Sequence, residues 1–179
     1  MASYYIYLIS SLPMLHFLSR PPFTFERFLE ICKDYIPEKD FFVLSNLAQV
    51  QDYTQRIQAR PVIRQWVAYD TALRNELVKV RSSRKHIEAT AYLRPEGYVG
   101  PSLASVALAA YRNPSIIEAE KFLDEQRWNT LEELAFGHYF DLDFLVIYAY
   151  KLLILGRWER VRSADAGALL EKTLQFNEA

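Results

Sequence analysis

The residues of this 179-residue chain that could do chemistry fall in two charged runs, three scattered histidines, one cysteine and two charges set among apolar neighbours. Between Arg60 and His86 the chain carries Arg60, Arg64, Arg74, Lys79, Arg81, Arg84 and Lys85 against Asp70 and Glu76. Between Pro114 and Asp143 it carries Glu118, Glu120, Asp124, Glu125, Glu132, Glu133, Asp141 and Asp143 against Lys121 and Arg127. Runs of one sign either pack against the opposite sign or present faces to partners. Arg64, Arg74, Arg81, Arg84 and Lys85 are therefore candidate partner contacts on the basic run, and Glu118, Glu125 and Glu132 on the acidic run. A basic helix can also hold phosphates, but a nucleic-acid domain carries a clear positive excess and a recognisable motif. Here the net charge is -1 and the pI about 6.3, no such motif occurs, and no nucleic-acid partner is expected.

His16, His86 and His138 are far apart and lack ligand-spaced neighbours, and Cys32 is the one cysteine. A metal site would need tertiary assembly alone, and an internal disulfide is excluded. Cys32 lies in a helical apolar pattern, which predicts a buried thiol. Ser10-Ser11 and Ser82-Ser83 have no glycine elbow, and no Walker-type sequence occurs. No catalytic residue, cofactor or metal is expected. Asp70 interrupts the stripe Ile63, Trp66, Leu73, Leu77 and Val80, and Lys151 sits inside the apolar run Leu142 to Leu155. Either charge would be costly to bury unpaired. Both are candidate buried charges, each expected to meet an opposite charge inside the bundle or to meet each other; such pairs fix register more often than they do chemistry.

The elements that must position these residues read as helices. Apolar residues make up 51 % and charged residues 24 %, a globular composition long enough to build a core without disulfides. Aromatics reach 15 %, which suits large core contacts or a partner surface. The expected fold is mainly all-α, a helical bundle in a single domain over 1–179, with a short extended N-terminal segment at Tyr4 to Ile9 ended by Pro13. That N-terminus has no basic flank before its apolar run, so it reads as part of the mature fold. Thr24 caps a helix from about Phe25 to Ile36, Pro37 starts a short one, and Pro61 opens the longest, to about Lys85. Further helices are expected from Pro101, from Pro114 with Asn113 as cap, after a Thr130 to Glu133 capping box, and from Asp165 to about Leu174. The run from Leu142 to Leu155 covers about 21 Å as a helix, short of the ~30 Å hydrocarbon core. With Lys151 in its middle it reads as the central helix of the bundle. Glu26-Arg27-Phe28-Leu29-Glu30 resembles Glu120-Lys121-Phe122-Leu123-Asp124, a hint of a two-fold internal helical repeat over about 21–95 and 113–175.

Three segments together carry a family resemblance: Tyr4 to Phe17 (YYIYLISSLPMLHF), Tyr69 to Arg84 (YDTALRNELVKVRSSR) and Phe140 to Val161. They resemble an uncharacterised bacterial family encoded alongside V/A-type ATPase genes and, more distantly, the C-type stalk subunit of those ATPases, whose eukaryotic form is the d-type. The last segment, with Tyr148, Lys151, Arg157 and Arg160, is similar to the helix that closes each repeat of the C-type protein. The C-type protein is longer and holds more repeats than this chain has room for. The resemblance implies an all-helical, non-catalytic accessory or C/d-like stalk subunit linking the soluble rotor stalk to the membrane ring. Its partners would be other rotary ATPase subunits, those of the central stalk and the membrane ring, and it would be cytoplasmic and peripheral to the inner membrane. Two readings from other classes stay open: a small helical enzyme or ligand-binding protein with an aromatic pocket using His16, His86 or His138, and a basic-helix nucleic-acid binder.

Overall fold

A computed structural model describes residues 5–48, 60–95 and 97–164. Among these the chain forms seven α-helices and one 3-10 turn, Thr90–Tyr92, with no strand. The helices are α1 (Ile6–Ser11), α2 (Phe25–Lys33), α3 (Glu38–Ser45), α4 (Pro61–Lys85), α5 (Ala104–Arg112), α6 (Ile116–Leu134) and α7 (Leu142–Ser163). The architecture is an all-α bundle, and no described helix is long and apolar enough to cross a membrane.

α7 is the axis of the bundle. Asp141 caps it, its carboxylate accepting from the Phe144 N–H at 3.0 Å. Every residue from Leu145 to Tyr150 is buried, because α2, α3, α4 and α6 pack around the helix. α4 starts at Pro61, whose fixed φ suits a first helical position. It buries Val62, Ile63, Trp66, Tyr69, Ala72 and Leu73, spaced three and four apart along one face. α5 lies on α4 through Ala107 and Ala110, residues small enough to let the helices approach closely. α2 is capped by Thr24 and inserts Phe28, fully buried, between Phe23, Phe25 and Tyr148.

Several expectations are corrected. The N-terminal segment, of which Tyr4 lies outside the described residues, is the helix α1 and not extended. Aromatic and β-branched residues favour strands only where a pleated neighbour receives them, and none is present among the described residues. Instead Leu8 and Ile9 enter the core, and the Tyr5 N–H donates to the Phe140 carbonyl at 2.7 Å. Thr130 to Glu133 opens no helix, because it lies within α6, where the Thr130 hydroxyl donates back to the Gln126 carbonyl at 3.0 Å. The helix expected at Pro101 begins at Ala104, and Ser115 rather than Asn113 caps α6. The segment 120–124 sits inside the 19-residue α6, which leads directly to α7. The helix expected from Asp165 lies outside the described residues.

Candidate functional site

The eight candidate contact residues, Arg64, Arg74, Arg81, Arg84 and Lys85 on α4 and Glu118, Glu125 and Glu132 on α6, are all solvent-exposed. They do not meet one another. Arg84 donates to the Tyr111 hydroxyl at 2.7 Å and lies over its ring, Glu118 approaches Lys121 at 3.8 Å, and Glu132 bonds Lys151 at 2.7 Å. Arg64, Arg81, Lys85 and Glu125 make no side-chain hydrogen bond or ion pair with any described residue.

The two charges singled out for burial are mostly covered, but they do not pair with each other. Lys151, 12 % exposed, reaches Glu132 and lies over the Trp128 ring, 5.3 Å from its centroid. Asp70 points into a cleft between α4, α6 and α7 and anchors a chain of alternating charge. Its two oxygens accept from Arg74 Nε at 2.7 Å and Arg127 Nε at 2.9 Å. Arg127 reaches on to Asp124 at 3.0 Å. Asp124, 1 % exposed, also accepts from Arg157 and from the Trp158 indole N–H at 2.9 Å. Three donors thus converge on a carboxylate that has lost its water, the arrangement that makes a buried charge tolerable.

The cleft over this chain of charges has a volume of about 440 Å³. Five arginines line it, Arg74, Arg94, Arg127, Arg157 and Arg160, against the two aspartates. Arg94 comes from the loop after α4, held by a pair of bonds: the Asn75 amide donates to the Arg94 carbonyl at 2.8 Å and accepts from its N–H at 3.0 Å. The exposed side chains of Arg94 and Arg160 make no hydrogen bond or ion pair with any described residue. Burial pushes the Arg157 guanidinium below its ordinary value; Glu120 and Asp70 pull it back up, and the like charges of Arg160 and Arg74 push it further down. Trp66, Tyr150, Val67 and Leu153 form the apolar wall.

The three histidines do not converge. His16 lies between α1 and α2, His86 at the C-terminal end of α4, and His138 between α6 and α7. His138 does gather a group that sequence spacing did not suggest: its Nδ1 lies 2.6 Å from Asp141 and 4.0 Å from Asp143, and all three offer ligand atoms within 4.8 Å of one another. Both carboxylates are already engaged, Asp141 by the α7 N-terminus and Asp143 by Arg60 at 2.8 Å. Arg60 also faces Asp40, which accepts from the Tyr5 hydroxyl, so this cluster ties the starts of α1, α3, α4 and α7 together. Cys32 is fully buried, and burial raises its thiol to about 12.

In the sequence, Asp124 stands in the acidic run and the 120–124 repeat segment, Arg127 is a minority cation of that run, and Arg94 belongs to no pattern. Asp124 carried a usable signal, since Trp128 and Leu131 follow it at helical spacing on one buried face. Arg94 carried none, because its place is set by Asn75, 19 residues away.

Residues 101–173 match a family described as "Protein of unknown function (DUF2764)". The matched span takes in α5, α6 and α7, hence Asp124, Arg127, Arg157 and Arg160, whereas Asp70, Arg74 and Arg94 lie outside it. No curated protein and no solved structure matches the chain.

Proposed function

We propose that the protein is a non-catalytic accessory or C/d-like stalk subunit of a V/A-type rotary ATPase, linking the soluble rotor stalk to the membrane ring. The observation that carries the reading is the segregation of exposed charge by sign. Arg64, Arg81 and Lys85 on α4, and Glu125 on α6, face solvent without a partner among the described residues. Holding unpaired like charges along one helix has a purpose if a second protein supplies the opposite sign, and it speeds encounter with that protein. Exposed apolar residues lie at both ends of the acidic helix, Ile116 and Ile117 at its start and Phe136 just beyond its end. Large apolar side chains bordered by charge suit a contact surface. A rotor coupling must also resist shear, and the chain Arg74–Asp70–Arg127–Asp124–Arg157 cross-links α4, α6 and α7 side chain to side chain. On this reading the protein works in the cytoplasm, held at the inner membrane only through its partners.

The test is co-purification of the tagged protein with rotary ATPase stalk proteins co-expressed in the same cells at low ionic strength. The reading expects retention that weakens as salt rises, because exposed charges are screened over about 10 Å at 0.1 M. It expects Arg64→Glu with Arg81→Glu to abolish retention. No association at low salt would overturn it.

A further inference from the structure

The geometry points to the arginine-lined cleft between α4, α6 and α7 as a binding site for a small phosphate-bearing anion. Such a site is independent of the proposed stalk role. Its volume of about 440 Å³ falls among small-molecule sites and suits pyrophosphate or a small phosphate ester. The internal charge chain holds Arg127 between Asp70, on its Nε, and Asp124, on one of its terminal nitrogens. Arg74 spends donors on Asp70, and Arg157 on Asp124 with Glu120 beside it, yet they remain 49 % and 43 % exposed. Arg94 and Arg160 spend none on a described side chain.

A scaffold alone needs only as many cations as it has carboxylates. Here five arginines face two aspartates. Glu120 adds an ion pair to Arg157 at 3.9 Å and Glu26 acts on Arg160 through space, which still leaves five arginines against the three carboxylates paired with them. Asp70 and Asp124 hold the inner guanidiniums rigid, so the outer ones lose little freedom on meeting a ligand. Guanidinium is the group suited to phosphate, because its planar fork donates two parallel bonds to a pair of phosphate oxygens. The Asn75 clamp on the Arg94 backbone fixes the far wall of the cleft.

The experiment is isothermal titration of the intact protein with pyrophosphate, and separately with citrate at matched ionic strength. The expected result is saturable, one-to-one binding of pyrophosphate with a Kd on the order of 0.1 mM. Arg94→Ala and Arg160→Ala should each weaken it about tenfold with the melting temperature unchanged, since neither side chain supports the fold. Arg94→Gln and Arg160→Gln, which keep a polar side chain, form a second pair with the same expectation. Arg64→Ala and Arg81→Ala, which remove equal charge outside the cleft, should leave binding within about twofold of the parent. Absence of saturable binding overturns the site. So does equal weakening by the outside variants, which would mean general charge attraction. Citrate binding as tightly as pyrophosphate would overturn the phosphate assignment. The stalk reading stands or falls separately, on co-purification.

Discussion

Removing the carboxylate of Asp124 is the most direct test of how this bundle is held together. Asp124 is 1 % exposed and accepts from Arg127, Arg157 and the Trp158 indole. Asp124→Ala leaves these three donors in different positions. Arg157, 43 % exposed, turns to water at little cost. Arg127, 12 % exposed, keeps Asp70 at 2.9 Å. The Trp158 N–H belongs to a residue only 7 % exposed and has no other partner among those described. An unsatisfied buried donor costs about 1–3 kcal/mol, and breaking a buried ion pair about 3–5 kcal/mol. Because Asp70 still neutralises Arg127, the low end applies, and we expect a loss of about 3 kcal/mol. For a chain of this size that lowers the melting temperature by roughly 6–12 °C. Asp124→Asn keeps one acceptor oxygen for Trp158 and loses only the charge, so about 1–2 kcal/mol is expected. The assay is urea unfolding followed by far-UV circular dichroism, with the two slopes compared so that a change of midpoint reports stability. Trp158→Phe on both backgrounds completes the cycle, and its cost should shrink by about 1 kcal/mol once Asp124 is gone. A loss below about 1 kcal/mol for Asp124→Ala, or an Asn variant no better than the Ala variant, would refute the reasoning.

Three other measurements follow from the same geometry. Burial raises the Cys32 thiol from 9.0 to about 12 and pushes the Tyr148 phenol above its ordinary value. The folded state therefore keeps protons that the unfolded state releases, so the contribution of these groups is full below about pH 9 and is lost as pH rises toward 12. Each titrating group steepens the fall by about 1.4 kcal/mol per pH unit, and Cys32→Ala should remove one such increment between about pH 9.5 and 11; an unchanged slope in urea titrations counts against it. His86 ends α4 with φ 54° and an exposed side chain. Glycine is the residue suited to that left-handed position, so His86→Gly should raise stability by about 0.5–1 kcal/mol where His86→Ala does not, read as a midpoint shift at pH 8. Asp70→Asn breaks contacts to two arginines and should cost about 1–2 kcal/mol, whereas Lys151→Met leaves Glu132, 54 % exposed, free to hydrate and should change stability by less than about 0.5 kcal/mol in the same assay.

Which parts of this molecule were legible in the sequence follows from the range of the forces that place them. α4 was readable end to end because Pro61 marks its start and its stripe repeats locally. α7 was readable because its apolar run is too short for a bilayer and too long to leave exposed. The start of α1 does not read as a helix, because strand propensity depends on a neighbouring strand and none is present among the described residues. The charged runs posed a choice between internal packing and outward faces, and the structure divides each run residue by residue. Asp70 and Asp124 turn inward because each occupies a core position of its helix, Asp124 four residues before Trp128 and seven before Leu131. Arg64, Arg81, Lys85 and Glu125 turn outward because their positions fall off those stripes. Helical register, not composition, therefore separates the charges that hold the bundle from those that face solvent. The cleft arises where the two sets meet: the inward aspartates take only part of the arginines gathered around them, and Arg94, brought in across 19 residues of sequence by Asn75, adds a cation that no local pattern could announce.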